Sequence, residues 1–291
     1  MSLGATSRSL RGISAVVTLL AVGAVGCSEA LDNAEAGAKK VVRQRSVFSL
    51  ATGDCYNPDS GTHEGEELAV EIVPCDEAHE GQVVGEFKID GQSAYPGEDK
   101  TAEIADERCP AEALKFSPDS WALPKGVDTY YYYPTKESWA TGDRAVSCTY
   151  AKEAGTFSGS LKSKLNTDQL AYLKGSNSVY DALWANQPKA EQVEDDLAGY
   201  KKQAKAVADA LVAHVKGLKG IQQPETAKLR TQLEKTADAW GKAASASDVD
   251  AFYLAYDGAF TGINPDKTIA ARKELKLATT VPADEAEVWA G

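Results

Sequence analysis

All five cysteines of this 291-residue chain fall within its first 148 residues, at positions 27, 55, 75, 109 and 148. That asymmetry divides the chain into two kinds of material before any helix or strand is assigned. Cys27 stands apart because of what precedes it, and an even set of four remains. Outside the cytoplasm, four cysteines at moderate spacing read as a disulfide framework, for which three pairings exist. Cys55–Cys75 with Cys109–Cys148 is favoured, because each bridge then closes a modest loop within one half of the segment. Each such bridge stabilises by roughly 2–4 kcal/mol. A structural metal is the weaker reading: the chain has no C-x-x-C and only three histidines, too few of the usual ligands at the usual spacing.

The N-terminus supplies the compartment. Arg8 and Arg11 form a short positive region, and Ile13 to Gly26 is uncharged and largely apolar. This stretch is short for a membrane span, which needs roughly 20 apolar residues, and has the length of a signal-peptide core. The run Ala24-Val25-Gly26-Cys27 resembles the bacterial lipobox, with Ala24 where Leu is commoner. The resemblance implies transfer of a diacylglycerol to the Cys27 thiol and cleavage before it. Removal of residues 1–26 would leave 29 of the 31 basic residues against 43 acidic ones, a charge of −14. Such a chain is repelled by nucleic acid, which is bound mainly through Lys and Arg at phosphates. Anionic headgroups repel it as well, so attachment to the extracytoplasmic face of the plasma membrane falls to the lipid anchor.

The expected organisation is a signal peptide over 1–26, a polar tether over 27–45, a small α+β domain over 46–151 that holds the four pairable cysteines, and an antiparallel α-helical bundle over 152–291. In the first domain Leu68, Val70 and Ile72 alternate with polar residues, as one half-buried strand face does. Further strands are predicted through Val83–Ile89, Thr129–Tyr133 and Ala145–Tyr150, and a short helix over Thr101–Cys109. Asp90-Gly91 and Pro96-Gly97 mark turns. Asn57 to Gly61 reads as another turn, since the spaced ligands of a calcium loop are missing. In the second domain Val193, Leu197, Tyr200, Ala204, Val207 and Leu211 lay one stripe along a helix that starts after Pro188. Leu229, Leu233, Ala237 and Trp240 follow Pro224, which suits a first helical turn. Ser247 is a candidate cap for a helix whose inner side is Val249, Tyr253, Tyr256 and Phe260. Thr167–Trp184 is expected to break near Gly175-Ser176-Asn177, and Asn264-Pro265 to open a last short helix.

One string of residues in the first domain is familiar. Phe48, Gly53-Asp54-Cys55, Val70 to Cys75, His79, Val83 to Gly85 and Phe87 follow in order. Tyr95-Pro96-Gly97, Cys109, Trp139 and Arg144 to Cys148 complete it. Together they resemble the actinobacterial domain family labelled "septum formation", over about residues 46–151. The resemblance implies a place in the cell envelope, a role connected with division, and no known catalytic residue. The helical part resembles no family we can name.

Candidate functional residues are few. His79, flanked by Asp76, Glu77 and Glu80, is the best candidate base, since a histidine oriented by a carboxylate is the usual way to activate a nucleophile. The plainer reading is that it packs beside the Cys55–Cys75 bridge. His63, Asp76 and His79 are the residue types zinc uses, at a spacing that fits no familiar site. His214 falls on the long stripe, one step after Leu211, and reads as a histidine at the stripe's edge or with a local partner, or as a buried pH sensor. Tyr130-Tyr131-Tyr132-Tyr133 places two rings on each face of a strand. It forms either a covered face or an aromatic platform for a glycan or protein. These features predict a non-catalytic, lipid-anchored envelope protein that binds or scaffolds an envelope protein or glycan, with no cofactor and no nucleic-acid partner. The alternatives are an envelope hydrolase using His79 and a solute-binding lipoprotein.

Overall fold

The computed structural model describes residues 43–63, 65 and 67–282, so the signal segment, Cys27 and most of the expected tether lie outside the described residues. Those described form two units. One comprises residues up to 116 and 124–162; the other comprises 117–123 and 163 onward.

The first unit is a disulfide-linked α+β domain. Its strands are β1 (Gln44–Ser46), β2 (Cys55–Pro58), β3 (Ala69–Val73), β4 (Gly81–Lys88), β5 (Val127–Tyr132) and β6 (Ala145–Lys152). They make one antiparallel sheet in the order β1-β3-β2-β4-β6-β5. Gln44 and Arg45, read from sequence as the end of the tether, belong to the edge strand β1. Leu68, expected on the buried face of β3, instead precedes the strand and is 70% exposed. Pairing begins one residue later, and the Leu68 carbonyl accepts from the Val47 N–H at 3.2 Å. The turn read over Asn57–Gly61 starts later as well: Asn57 and Pro58 lie in β2, and Gly61, at φ 71°, closes back on Pro58.

Helix α1 (Glu98–Phe116) covers one face of the sheet and runs well beyond the helix expected over 101–109, straight through Pro110. Thr101, Ala105, Cys109, Ala113 and Phe116 are its buried side. Both bridges form as favoured: Cys55–Cys75, and Cys109–Cys148, which ties α1 to β6. A register shift between Val83 and Gly85 marks a bulge in β4. The extra residue breaks the two-residue alternation. Val83 therefore enters the cluster of Val47, Leu50, Tyr56 and Val70, while Gly85 lies beneath α1. A Cβ on Gly85 would sit 2.5 Å from that of Glu112, so only glycine admits the helix here. Helix α2 (Lys136–Ala140) is capped by Thr135, whose hydroxyl accepts from the Ser138 N–H.

The second unit is a bundle of long helices: α3 (Thr167–Ala185), α4 (Leu197–Leu218), α5 (Pro224–Ala244) and α6 (Val249–Gly262), followed by the short α7 (Ile269–Glu274). Each long helix packs on its neighbour in chain order, around Tyr172, Leu211, Leu218, Trp240 and Phe252. Four local expectations are corrected. Helix α3 does not break at Gly175; the missing side chain makes room for the imidazole of His214, which a Cβ would overlap. Helix α4 begins at Leu197, where Asp196 accepts the Gly199 N–H at 2.8 Å, so Val193 is buried from the preceding turn rather than from the helix. Asp248, not Ser247, caps α6, because its carboxylate accepts the Ala251 N–H. The buried side of α6 is Phe252, Ala259 and Gly262, with Tyr253 and Phe260 exposed. Gly262 sets that rotation: it rests against Thr236 of α5, where any side chain would collide.

Candidate functional site

The tyrosine run in β5 reaches two environments because strand side chains alternate. Tyr131 is buried beneath α1 and donates to Asp106 at 2.8 Å. Tyr132 points to the opposite face, 5.9 Å from the ring of Tyr56. Tyr130 lies 5.3 Å from the ring of His63. Tyr133 leaves the strand and packs 5.8 Å from Tyr131.

Strands β1 and β5 are opposite edges of the sheet by pairing order. Yet Val47 and Phe48 after β1, Leu68 before β3, and Tyr131–Tyr133 of β5 line the same cleft, of about 370 Å³. The sheet therefore curls until its ends approach, and the cleft is the mouth of that curl. Bulges give a sheet this kind of bend. Tyr95, Glu98, Thr135, Lys136 and Glu137 supply the outer wall. Tyr95 is set by Trp139, whose ring lies 5.7 Å away and whose indole N–H donates to the Ser93 carbonyl. The Arg144 guanidinium stacks 3.7 Å over the same indole and donates to the Trp139 carbonyl.

The cleft is apolar within and acidic at its rim. Phe48 and Leu68 are 40% and 70% exposed, high values for such side chains beside a concavity. The carboxylates of Glu67, Glu98 and Glu137 meet one ammonium, Lys136. Burial raises the phenols of Tyr131 and Tyr132, and burial with the Glu98 charge pushes Tyr133 up to about 12. All three rings stay neutral at ordinary pH, so the charge of the site is carboxylate charge.

His79 lies elsewhere. It is 0% exposed, bridged through its backbone to Phe157 at 2.8 and 2.9 Å, with the Phe157 ring 4.3 Å away. Its Nδ1 pairs with the Glu77 carbonyl at 2.9 Å, which only accepts, so Nδ1 carries the proton. That partner is a backbone carbonyl and not a carboxylate: Asp76 is exposed, and the Glu77 carboxylate pairs with Arg43. A base must reach its substrate within hydrogen-bonding distance, and the His79 side chain is buried in this structure. Next to it, buried Gln82 joins Gly53, Ser160 and Leu161 through its amide, an organising role with no signal in the sequence. His63 sits between Tyr56 and Tyr130, and burial lowers it to about 4. Among the described residues, no three His, Cys, Asp or Glu side chains converge as metal ligands.

His214 is not at the edge of its stripe. It is 4% exposed, edge-on to Tyr172 at 5.7 Å, with burial lowering it to about 4. Sequence reasoning found the tyrosines of the cleft but missed Val47, Phe48, Leu68 and Tyr95. Phe48 and Tyr95 stood in the family-like string and Leu68 in a strand pattern, but nothing along the chain brought them together.

The family model described as "Septum formation" matches residues 22–148, fewer than half of the chain. No curated protein and no solved structure matches the chain. No helix among the described residues is long and apolar enough to cross a membrane.

Proposed function

We propose that this chain is a non-catalytic, lipid-anchored protein of the cell envelope that holds an envelope component in the tyrosine cleft. The observation that carries the reading is the cleft: about 370 Å³, walled by Phe48, Leu68 and Tyr131–Tyr133. That size and apolar lining are those of ligand-binding concavities. The burial of His79, with its Nδ1 on a backbone carbonyl, favours this reading over the hydrolase alternative. The lipobox-like run before Cys27 supports the anchor, and similarity to the septum-formation model supports a place in the envelope.

Two measurements test the two halves. Intact mass of membrane-extracted protein should show a chain starting at Cys27 and carrying acyl groups, and Cys27→Ala should abolish both. A photoreactive residue at Phe48 should crosslink an envelope component in intact cells, and the same residue at exposed Asp90, away from the cleft, should not. An unlipidated wild type refutes the anchor; equal crosslinking at both positions refutes the cleft.

A further inference from the structure

Resting on that reading of the cleft, we infer that its occupant is a cationic protein segment, presenting a lysine or arginine beside an apolar side chain. Three carboxylates face one ammonium around the opening: Glu67, Glu98 and Glu137 against Lys136. Glu67 is held in place by the N–H and hydroxyl of Ser60. Because the phenols are neutral, the tyrosine rings offer faces rather than charge. A cation is attracted to such faces by the ring quadrupole.

The interior selects the rest of the occupant. Val47, Phe48 and Leu68 make one wall apolar, with Leu68 mostly exposed. An apolar side chain laid there removes that surface from water. A sugar stacks on aromatic rings but leaves exposed aliphatic Leu68 unserved, and an anionic glycan meets the carboxylate rim unfavourably. Peptide with a positive charge satisfies both parts of the site.

The test uses the full chain in zwitterionic nanodiscs, with empty nanodiscs as background. The probes are capped tetrapeptides Leu-Lys-Phe-Lys, Leu-Gln-Phe-Gln and Leu-Glu-Phe-Glu, with N,N′-diacetylchitobiose as the glycan. The lysine peptide should bind about tenfold tighter than the glutamine one, as two partly screened ion pairs allow, and the glutamate peptide not measurably. In Glu98→Gln/Glu137→Gln the preference should fall to about twofold, whereas Phe48→Ser should weaken the lysine and glutamine peptides alike. Equal binding of lysine and glutamine peptides, lost in Phe48→Ser, overturns the charge selectivity and leaves the cleft as a binding site. Binding of the disaccharide alone overturns the peptide class. No binding by any probe, or binding untouched by every substitution, overturns both this inference and the cleft reading.

Discussion

Arg272 of α7 is the most consequential single residue in the helical unit. Its guanidinium and the Asp119 carboxylate form an ion pair in which both side chains are 4% exposed. The pair is closed on every side. Arg272 Nε donates to the Ala278 carbonyl at 2.6 Å, and the Ala278 N–H donates to the other oxygen of Asp119 at 3.2 Å. The guanidinium carbon stacks 3.9 Å over the Trp121 ring. Replacing Arg272 by Met keeps most of the stem's packing but leaves a buried carboxylate with one N–H donor. Breaking a buried pair from one side costs about 3–5 kcal/mol, because the remaining charge is uncompensated. Against a typical domain stability of about 5–15 kcal/mol, that is a large fraction. Urea unfolding followed by far-UV circular dichroism should show the midpoint of the helical transition falling with an unchanged slope. Asp119→Leu alone should be comparably harmful. The double substitution Arg272→Met/Asp119→Leu should be milder than either single one, since it removes both charges together. A loss below about 1 kcal/mol for Arg272→Met, or a double variant as damaging as the sum of the singles, would refute the assignment of this pair as the buried anchor of segment 117–123.

Acid should destabilise the helical unit through His214. Burial lowers its folded pKa to about 4 against an ordinary 6.5, so the unfolded chain takes up the proton first as pH falls. Stability is whole above pH 6.5 and is lost as pH drops towards 4, by up to about 3 kcal/mol at 1.36 kcal/mol per unit. Urea midpoints at pH 7 and pH 4.5 should differ by much less in His214→Leu. Gly175→Ala should destabilise by about 1–3 kcal/mol through overlap with the imidazole, measurable as a lowered Tm, whereas Gly220→Ala, with open space around it, should leave the bundle packing unstrained. Removing Cys109–Cys148, which spans 39 residues, should cost about 0.6 kcal/mol more than removing Cys55–Cys75, which spans 20, from loop entropy alone. Paired Cys→Ala variants compared by urea unfolding would show it; the reverse order would refute the entropic account.

Much of this architecture is legible along the chain because it depends on near neighbours. Pairing of Cys55 with Cys75 and Cys109 with Cys148 followed from short loops. The stripe from Leu197 to Leu211 and the face from Leu229 to Trp240 followed from helical spacing. The strands at β4, β5 and β6 followed from apolar and β-branched runs. Where local rules competed, they failed in identifiable ways. Gly175 looked like a breaker, and the cap was read at Ser247, one residue before Asp248, which supplies it. Pro110 concealed the second half of α1, although the turns before and after it are anchored by Cys109, Ala113 and Phe116.

By itself, then, the sequence determined the two kinds of unit, most helix faces and the acidic balance of the chain, and it favoured one disulfide pairing of three that the structure then settled; the units and faces are carried by residues within a turn or a loop of one another. Only the tertiary structure decided that His79 is sealed and that His214 lies inside the bundle, because burial is conferred by distant elements such as Phe157 and Tyr172. It alone decided the cleft. Val47, Phe48, Glu67, Leu68, Tyr95, Glu98 and Tyr131 to Tyr133 meet there although they come from segments far apart in the chain and from opposite edges of the sheet.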